Sequence, residues 1–179
     1  NQRRADWQVL SSYKNQIGYL SQEPCLLSAT VRENIVYGLD YVDEAVYESV
    51  LTALDLKPLL ESLPQHDATL VGNGGHPLSG GQTQFLTFAR LLMRQPNLVL
   101  LDEPSSALDT ASEQRMLKAL KTLLPNAQVL IVTHRLQNLR SFDRICVMQQ
   151  GKIVEEGSHE TLTALKGYYW HMLNIKFEP

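Results

Sequence analysis

The 179-residue chain sets 16 Lys and Arg against 19 Asp and Glu, a formal net charge of −3 with no basic block, which excludes the electrostatic footprint of a nucleic-acid binder. Its 44% hydrophobic content suits one domain with a real core, and its apolar runs stop at strand length, which excludes a transmembrane helix. The two cysteines, Cys25 and Cys146, lie far apart in apolar segments and predict buried free thiols in a reducing compartment rather than a disulfide or a metal site.

Residues 1–15 are irregular, with Trp7, Val9 and Leu10 as apolar anchors, and read as a strand remnant and a loop. Ile17, Gly18, Tyr19 and Leu20 predict a short strand, after which Pro24 turns the chain at Ser21-Gln22-Glu23-Pro24. Thr30 with Glu33 three positions on is a capping box, opening a short helix that closes at Gly38. Asp43 caps the next helix, whose Val46, Val50, Leu51 and Leu54 form one apolar stripe, and Leu56, Leu59, Leu60 and Leu63 form a shorter one before Pro64. Both stripes predict core packing in an all-helical insert. Residues 67–77, DATLVGNGGHP, are a glycine-rich loop.

The stretch from 78 to 109 reads LSGGQTQFLTFARLLMRQPNLVLLDEPSSALD. Ser79 and Gln82 make a second capping box, so a helix starts at Gly80. Two glycines there weaken the helix but bare backbone N–H groups at the positive end of its dipole, an arrangement suited to phosphate. Phe85, Leu86, Ala89, Leu92 and Met93 recur at helical spacing until Pro96 and Asn97 stop the helix. Leu98, Val99, Leu100 and Leu101 predict a strand covered on both faces, as in a parallel sheet, with Asp102 and Glu103 at the carboxyl end where open α/β sheets place their ligands.

Thr110 with Glu113 reads as a third capping box, and Met116, Leu117, Leu120 and Leu123 line the helix it opens, which Pro125 ends. Val129, Leu130, Ile131 and Val132 predict another buried strand, followed by Thr133 and His134. Residues 145–148 and 153–154 flank Gln149-Gln150-Gly151-Lys152 as a hairpin, and Ser158 caps a last helix before Tyr168, Tyr169 and Trp170 pack a terminal turn onto the body.

LSGGQ, then LVLLDEP and SALD in that order, resembles the nucleotide-binding domain of ATP-binding-cassette (ABC) transporters. The resemblance implies an α/β fold of the P-loop NTPase type: a parallel-sheet core with an inserted helical subdomain. Residues 1–24 would be a core remnant and the Q-loop, 25–95 the helical subdomain with the signature motif, and 96–179 the core with the Walker B, D-loop and H-loop segments. The run from Leu26 to Ile35, LLSATVRENI, looks like the exporter segment that faces the membrane domain. GGHPLSGGQ and the tail after His134 are similar to the bacterial heterodimeric exporters of cysteine and glutathione. Two departures from the family stand out. Asn73 occupies a position that exporters usually make acidic, and Thr83, Gln84 and Phe85 replace the common basic–Gln–basic run, so contacts of those charges are not carried over.

What the resemblance implies for chemistry is specific. Asp102 and Gln22 would hold Mg²⁺, Glu103 would be general base, and His134 would bridge Glu103 and the γ-phosphate of ATP. Ser79, Gly80, Gly81 and Gln82 would contact the ATP held by a second cassette, with Asp109 at that interface. A transmembrane domain would dock on the region around Gln22 to Ile35, placing the chain at the cytoplasmic face of a bacterial inner membrane. The sequence has no GxxxxGK[ST] loop, which the family carries upstream of the Q-loop, and it begins at Asn1, so a truncated domain is expected that alone binds ATP poorly and exposes apolar sheet surface. Two other readings are a soluble ABC-type ATPase acting on nucleic acid and a non-catalytic cassette that completes a partner's site. The absence of basic linkers and Cys pairs speaks against the first, and the presence of Glu103 and His134 against the second.

Overall fold

Short apolar runs at three separated places build one parallel sheet. Strands β1 (Ile17–Leu20), β4 (Leu98–Asp102) and β5 (Gln128–Val132) lie in the order β1-β4-β5, with Ile17 opposite Leu98 and Leu98 opposite Gln128. Parallel strands put all carboxyl ends on one edge. The computed structural model describes residues 13, 16–105, 107–136 and 138–174. Trp7, Val9 and Leu10 of the expected strand remnant and Ser106, the first residue of the expected D-loop, lie outside the described residues.

The chain divides into two compact units, Asn1–Val132 and Thr133–Pro179. In the first, the sheet is joined by β2 (Ala29–Thr30) and β3 (Leu70–Val71), an antiparallel two-residue ladder, and by helices α1 (Val31–Ile35), α2 (Glu44–Ala53), α3 (Lys57–Ser62), α4 (Gly80–Met93) and α5 (Thr110–Leu123). The expected all-helical insert therefore contains a small ladder, which clamps the glycine-rich loop to the segment before α1. Gly72 needs φ +82 for this, and a side chain there would run into the Leu27 carbonyl.

Helix α4 is the hub. Phe85, Leu86, Phe88, Ala89, Leu91, Leu92 and Met93 are all buried, joining Val99 and Leu101 of β4, Val31 and Ile35 of α1, Val50, Leu51 and Leu54 of the second helix, and Met116 and Leu120 of α5 in one core. A helix buried around most of its circumference is a core element rather than a surface one. Arg32 lies over the Tyr47 ring at 4.4 Å, and the Tyr47 hydroxyl donates to Asp67 at 3.2 Å. Burial, with Asp67 beside it, pushes the Tyr47 hydroxyl far above its ordinary pKa.

The two strands with the most similar sequences differ in burial. In β4 Val99 and Leu101 are buried and Leu98 and Leu100 half-buried, short of the full cover on both faces that the run predicts, whereas Val129, Leu130 and Val132 of β5 are exposed, Leu130 by 59%. β5 is one of the two end strands of the described sheet, and these side chains are left uncovered on its faces. Cys25, in the loop after β1, and Cys146, near the start of the first hairpin strand, are free but exposed, not buried as expected.

The second unit holds the hairpin of β6 (Ile145–Gln149) and β7 (Lys152–Gly157), then α6 (His159–Leu165) and α7 (Tyr168–Asn174). Gln150 at φ +48 and Gly151 at φ +74 make the tight turn whose twist suits a hairpin. Ser158 caps α6 as expected, but the terminal aromatics form a further helix. Glu155 accepts the N–H groups of Tyr168 at 2.6 Å and Tyr169 at 2.9 Å, and Tyr169 is buried against Ile145 and Leu162.

Candidate functional site

At the carboxyl edge of the sheet, β4 ends on Asp102, opposite Val132, and the next residue breaks the strand. Glu103 has φ +46, an uncommon conformation for a residue with a Cβ, and it precedes Pro104, whose ring restricts it further. Such a residue stores on the order of 1–3 kcal/mol of strain. Its N–H donates to the Val132 carbonyl at 2.9 Å, which ties the turn to β5.

Gln22, two residues beyond β1, donates from Nε2 to Glu103 Oε2 at 3.1 Å, across 81 residues of sequence. With its nitrogen so engaged, the amide oxygen of Gln22 is left for a cation or a water. Asp102, half-buried, adds a carboxylate on the same edge. A carboxylate and an amide carbonyl are hard oxygen donors of the kind Mg²⁺ takes, and Mg²⁺ characteristically draws its remaining ligands from water and substrate phosphate. The donor set therefore fits Mg²⁺ brought with a nucleotide, and among the described residues no cluster of three or more His, Cys, Asp or Glu could cage a metal by protein alone. His134 belongs to the second unit, where it is exposed and follows Thr133, whose Oγ1 accepts the Arg135 N–H at 2.9 Å.

A second cluster forms at the tip of α4. The capping box is present: Ser79 Oγ accepts the Gln82 N–H at 3.2 Å, and Gln82 Oε1 accepts the Ser79 N–H at 2.8 Å. The Ser79 oxygen is thus used by its own helix, and its proton remains to be donated outward. Gly80 and Gly81 sit on the following turn, where a Cβ at Gly81 would come within 3.3 Å of the Ala107 carbonyl. The tip opens into a cleft of about 500 Å³ that also meets Leu56, Asp109 and Arg115. The 14-residue helix directs its positive end there. Arg115 pairs with Asp55 at 3.4 Å on the rim.

Asp109, not Thr110, caps α5: its Oδ1 accepts the Ser112 N–H at 2.7 Å, and that bond holds the carboxyl below its ordinary pKa. The expected third capping box is replaced by this Asp cap, since the carboxylate is the better acceptor and stands one residue earlier. Asp109 is exposed and ionised beside the Ser79 tip.

Two buried polar residues, Asn34 and Gln84, and the half-buried Arg90 were not singled out from sequence as functional. Asn34 is 0% exposed, and its side chain accepts from Leu27 N at 2.8 Å and Arg90 Nη2 at 2.7 Å while donating to the carbonyls of Leu27 and Thr30. Arg90 also donates from Nε to the Asn34 carbonyl at 2.7 Å and from Nη1 to the Cys25 carbonyl at 3.4 Å, and burial lowers its pKa. This junction fastens residues 25–35 to α4. Gln84 is the third, donating to the Pro104 carbonyl. Each is a polar residue on a helical stripe that is otherwise apolar, which is the one local signal that marks it.

Comparison with known proteins gives the same picture throughout. The family model described as ABC transporter matches residues 1–106. The chain is 40% identical over 166 residues to the ATP-dependent lipid A-core flippase of Desulfotalea psychrophila, covering 93% of this chain and 29% of that protein. It is 40% identical over 163 residues to multidrug resistance protein 4 of Entamoeba histolytica, covering 89% of this chain and 12% of that one. A bacterial Atm1-family ABC exporter solved with ATP bound superposes with a TM-score of 0.83 at 32% identity, over 91% of this chain and 28% of that structure. The chain thus spans less than a third of the length of these relatives.

Proposed function

Because this chain belongs to the ABC transporter family, we propose that it is the carboxy-terminal portion of an exporter's ATP-hydrolysing domain, coupling ATP binding and hydrolysis to transport across a membrane. The observation that carries the reading is the Gln22–Glu103 hydrogen bond, which joins a neutral oxygen donor and a carboxylate base at the edge where a nucleotide's terminal phosphate would stand.

Glu103 takes the proton of the attacking water, and Gln22 holds that carboxylate and presents its own oxygen to the same water. Asp102, with Gln22, would hold Mg²⁺, which when bound neutralises phosphate charge. Ser79, Gly80, Gly81 and Gln82 meet the γ-phosphate of an ATP seated in a second cassette, through the helix tip and the outward Ser79 hydroxyl, with Asp109 beside that interface. His134 would act on the γ-phosphate of the ATP that Glu103 serves, not on the one held by the second cassette. The chemistry therefore belongs to a dimer of cassettes, and the region around Gln22 to Ile35 receives the transmembrane domain at the cytoplasmic face of a bacterial inner membrane. Among the described residues no helix is long and apolar enough to cross a membrane. The isolated chain, without a phosphate-cradling GxxxxGK[ST] in its sequence, binds ATP poorly.

The test is Glu103→Gln in the complete transporter. Turnover is expected to fall by about 10²–10⁴-fold with ATP binding retained. A variant that hydrolyses ATP at the parent rate would sink the assignment.

A further inference from the structure

Helix α4 reaches the catalytic edge at a second point, away from its glycine tip. Gln84, in the first turns of the helix, is 1% exposed among apolar neighbours that include Phe85 and Phe88. Its Nε2 donates to the Pro104 carbonyl at 2.5 Å, while its Oε1 has no hydrogen-bond partner. A buried amide with one arm unsatisfied is unfavourable next to an apolar residue of the same shape. The arm that is satisfied is the informative one.

That arm grips the residue after Glu103. The Glu103 backbone at φ +46, directly before a proline, relaxes to an extended conformation unless its surroundings forbid it. Two bonds flank it: the Glu103 N–H on the Val132 carbonyl at 2.9 Å on one side, and Gln84 on the Pro104 carbonyl on the other. Releasing the second frees the turn to rotate, and rotation about that backbone carries the carboxylate away from Gln22.

We infer that Gln84 is a positioning residue for hydrolysis: by holding the Pro104 carbonyl it keeps Glu103 in its left-handed conformation, with the carboxylate where Gln22 can meet it. This rests on the reading of Glu103 as the general base. It gives the middle position of the family's basic–Gln–basic run a task that needs neither flanking cation, in a chain where Thr83 and Phe85 stand in their places. Gln84 acts through Glu103, and links the helix that senses a partner's nucleotide to the base that serves its own.

The experiment is Gln84→Met in the complete transporter, with a shape close to the parent and no donor. A misplaced base predicts kcat lower by about 10²-fold, while KM for ATP stays within about twofold and the melting temperature within a few degrees. Added to Glu103→Gln, the same substitution leaves residual turnover unchanged, because its effect runs through the carboxylate. Parent-like kcat overturns the inference, as does a loss in which kcat, ATP affinity and melting temperature fall together, or a further drop in the double variant. Should Gln84→Met not fold, Gln84→Glu, isosteric and without a donor when ionised, is judged by the same criteria. Failure of both to fold makes Gln84 a packing residue only and overturns the inference equally. Full turnover in Glu103→Gln would instead refute the functional reading, so the two failures are told apart.

Discussion

The turn at Glu103 and the junction at Asn34 are both polar constructions set against the same helix, α4, and they handle the cost of burial in opposite ways. Asn34 is sealed and every arm of its side chain is bonded, with the Arg90 fork closing the junction. The Glu103 turn is half-buried, strained in its backbone and held by a glutamine that leaves its own oxygen unsatisfied. Saturated networks rigidify a fold, whereas strain and incomplete satisfaction gather where a group must stand in a position that packing alone would not choose. One region stabilises the domain and the other spends stability on geometry.

Substitutions should therefore separate activity from stability, and each of the following would blur the contrast if it behaved otherwise. The largest effect expected is the loss of turnover in Glu103→Gln, about 3–5 kcal/mol of barrier, with no fall in melting temperature. Asn34→Leu, at the saturated junction, should destabilise the fold by about 2–4 kcal/mol, because it strands the Leu27 N–H and the Arg90 Nη2 group without acceptors. Denaturant unfolding measures this, and a value under about 0.5 kcal/mol would remove the junction from the list of stabilising elements. Glu103→Gly should do the reverse, raising unfolding free energy by about 1 kcal/mol as the left-handed strain is relieved, while turnover is abolished. Smallest is Ser79→Ala, which deletes the cap of α4 for about 1 kcal/mol or less and also removes the outward hydroxyl. A change in ATP turnover beyond what the stability loss explains would place that hydroxyl on the nucleotide.

Much of the helical framework was legible locally. Thr30 with Glu33 and Ser79 with Gln82 are bonded as their spacing predicts, and Asp43 and Ser158 cap the helices assigned to them. The exception is instructive. The spacing of Thr110 and Glu113 predicts Thr110 as the cap of α5, but Asp109 takes the position, because both residues offer an oxygen and spacing alone does not choose between neighbours. Within the candidate site, Gln22, Asp102 and Glu103 reach one sheet edge, and the Ser79 tip with Asp109 borders one cleft. Gln84, Arg90 and Asn34 stayed hidden in sequence, since Gln84 finds Pro104 20 positions away and Asn34 and Arg90 find each other across 56.

The contrast between β4 and β5 shows where local reading stops. Both are four-residue apolar runs, and the pattern of each was enough to make it a strand, because alternation, capping and turn chemistry act over a few bonds. Whether Leu130 is covered, whether Cys25 faces outward, and whether Gln22 meets a carboxylate 81 residues away depend on which elements are stacked beside them. Hydrogen bonds and burial across such distances arise only after the sheet has assembled, when register and neighbours have been chosen by the packing of the whole.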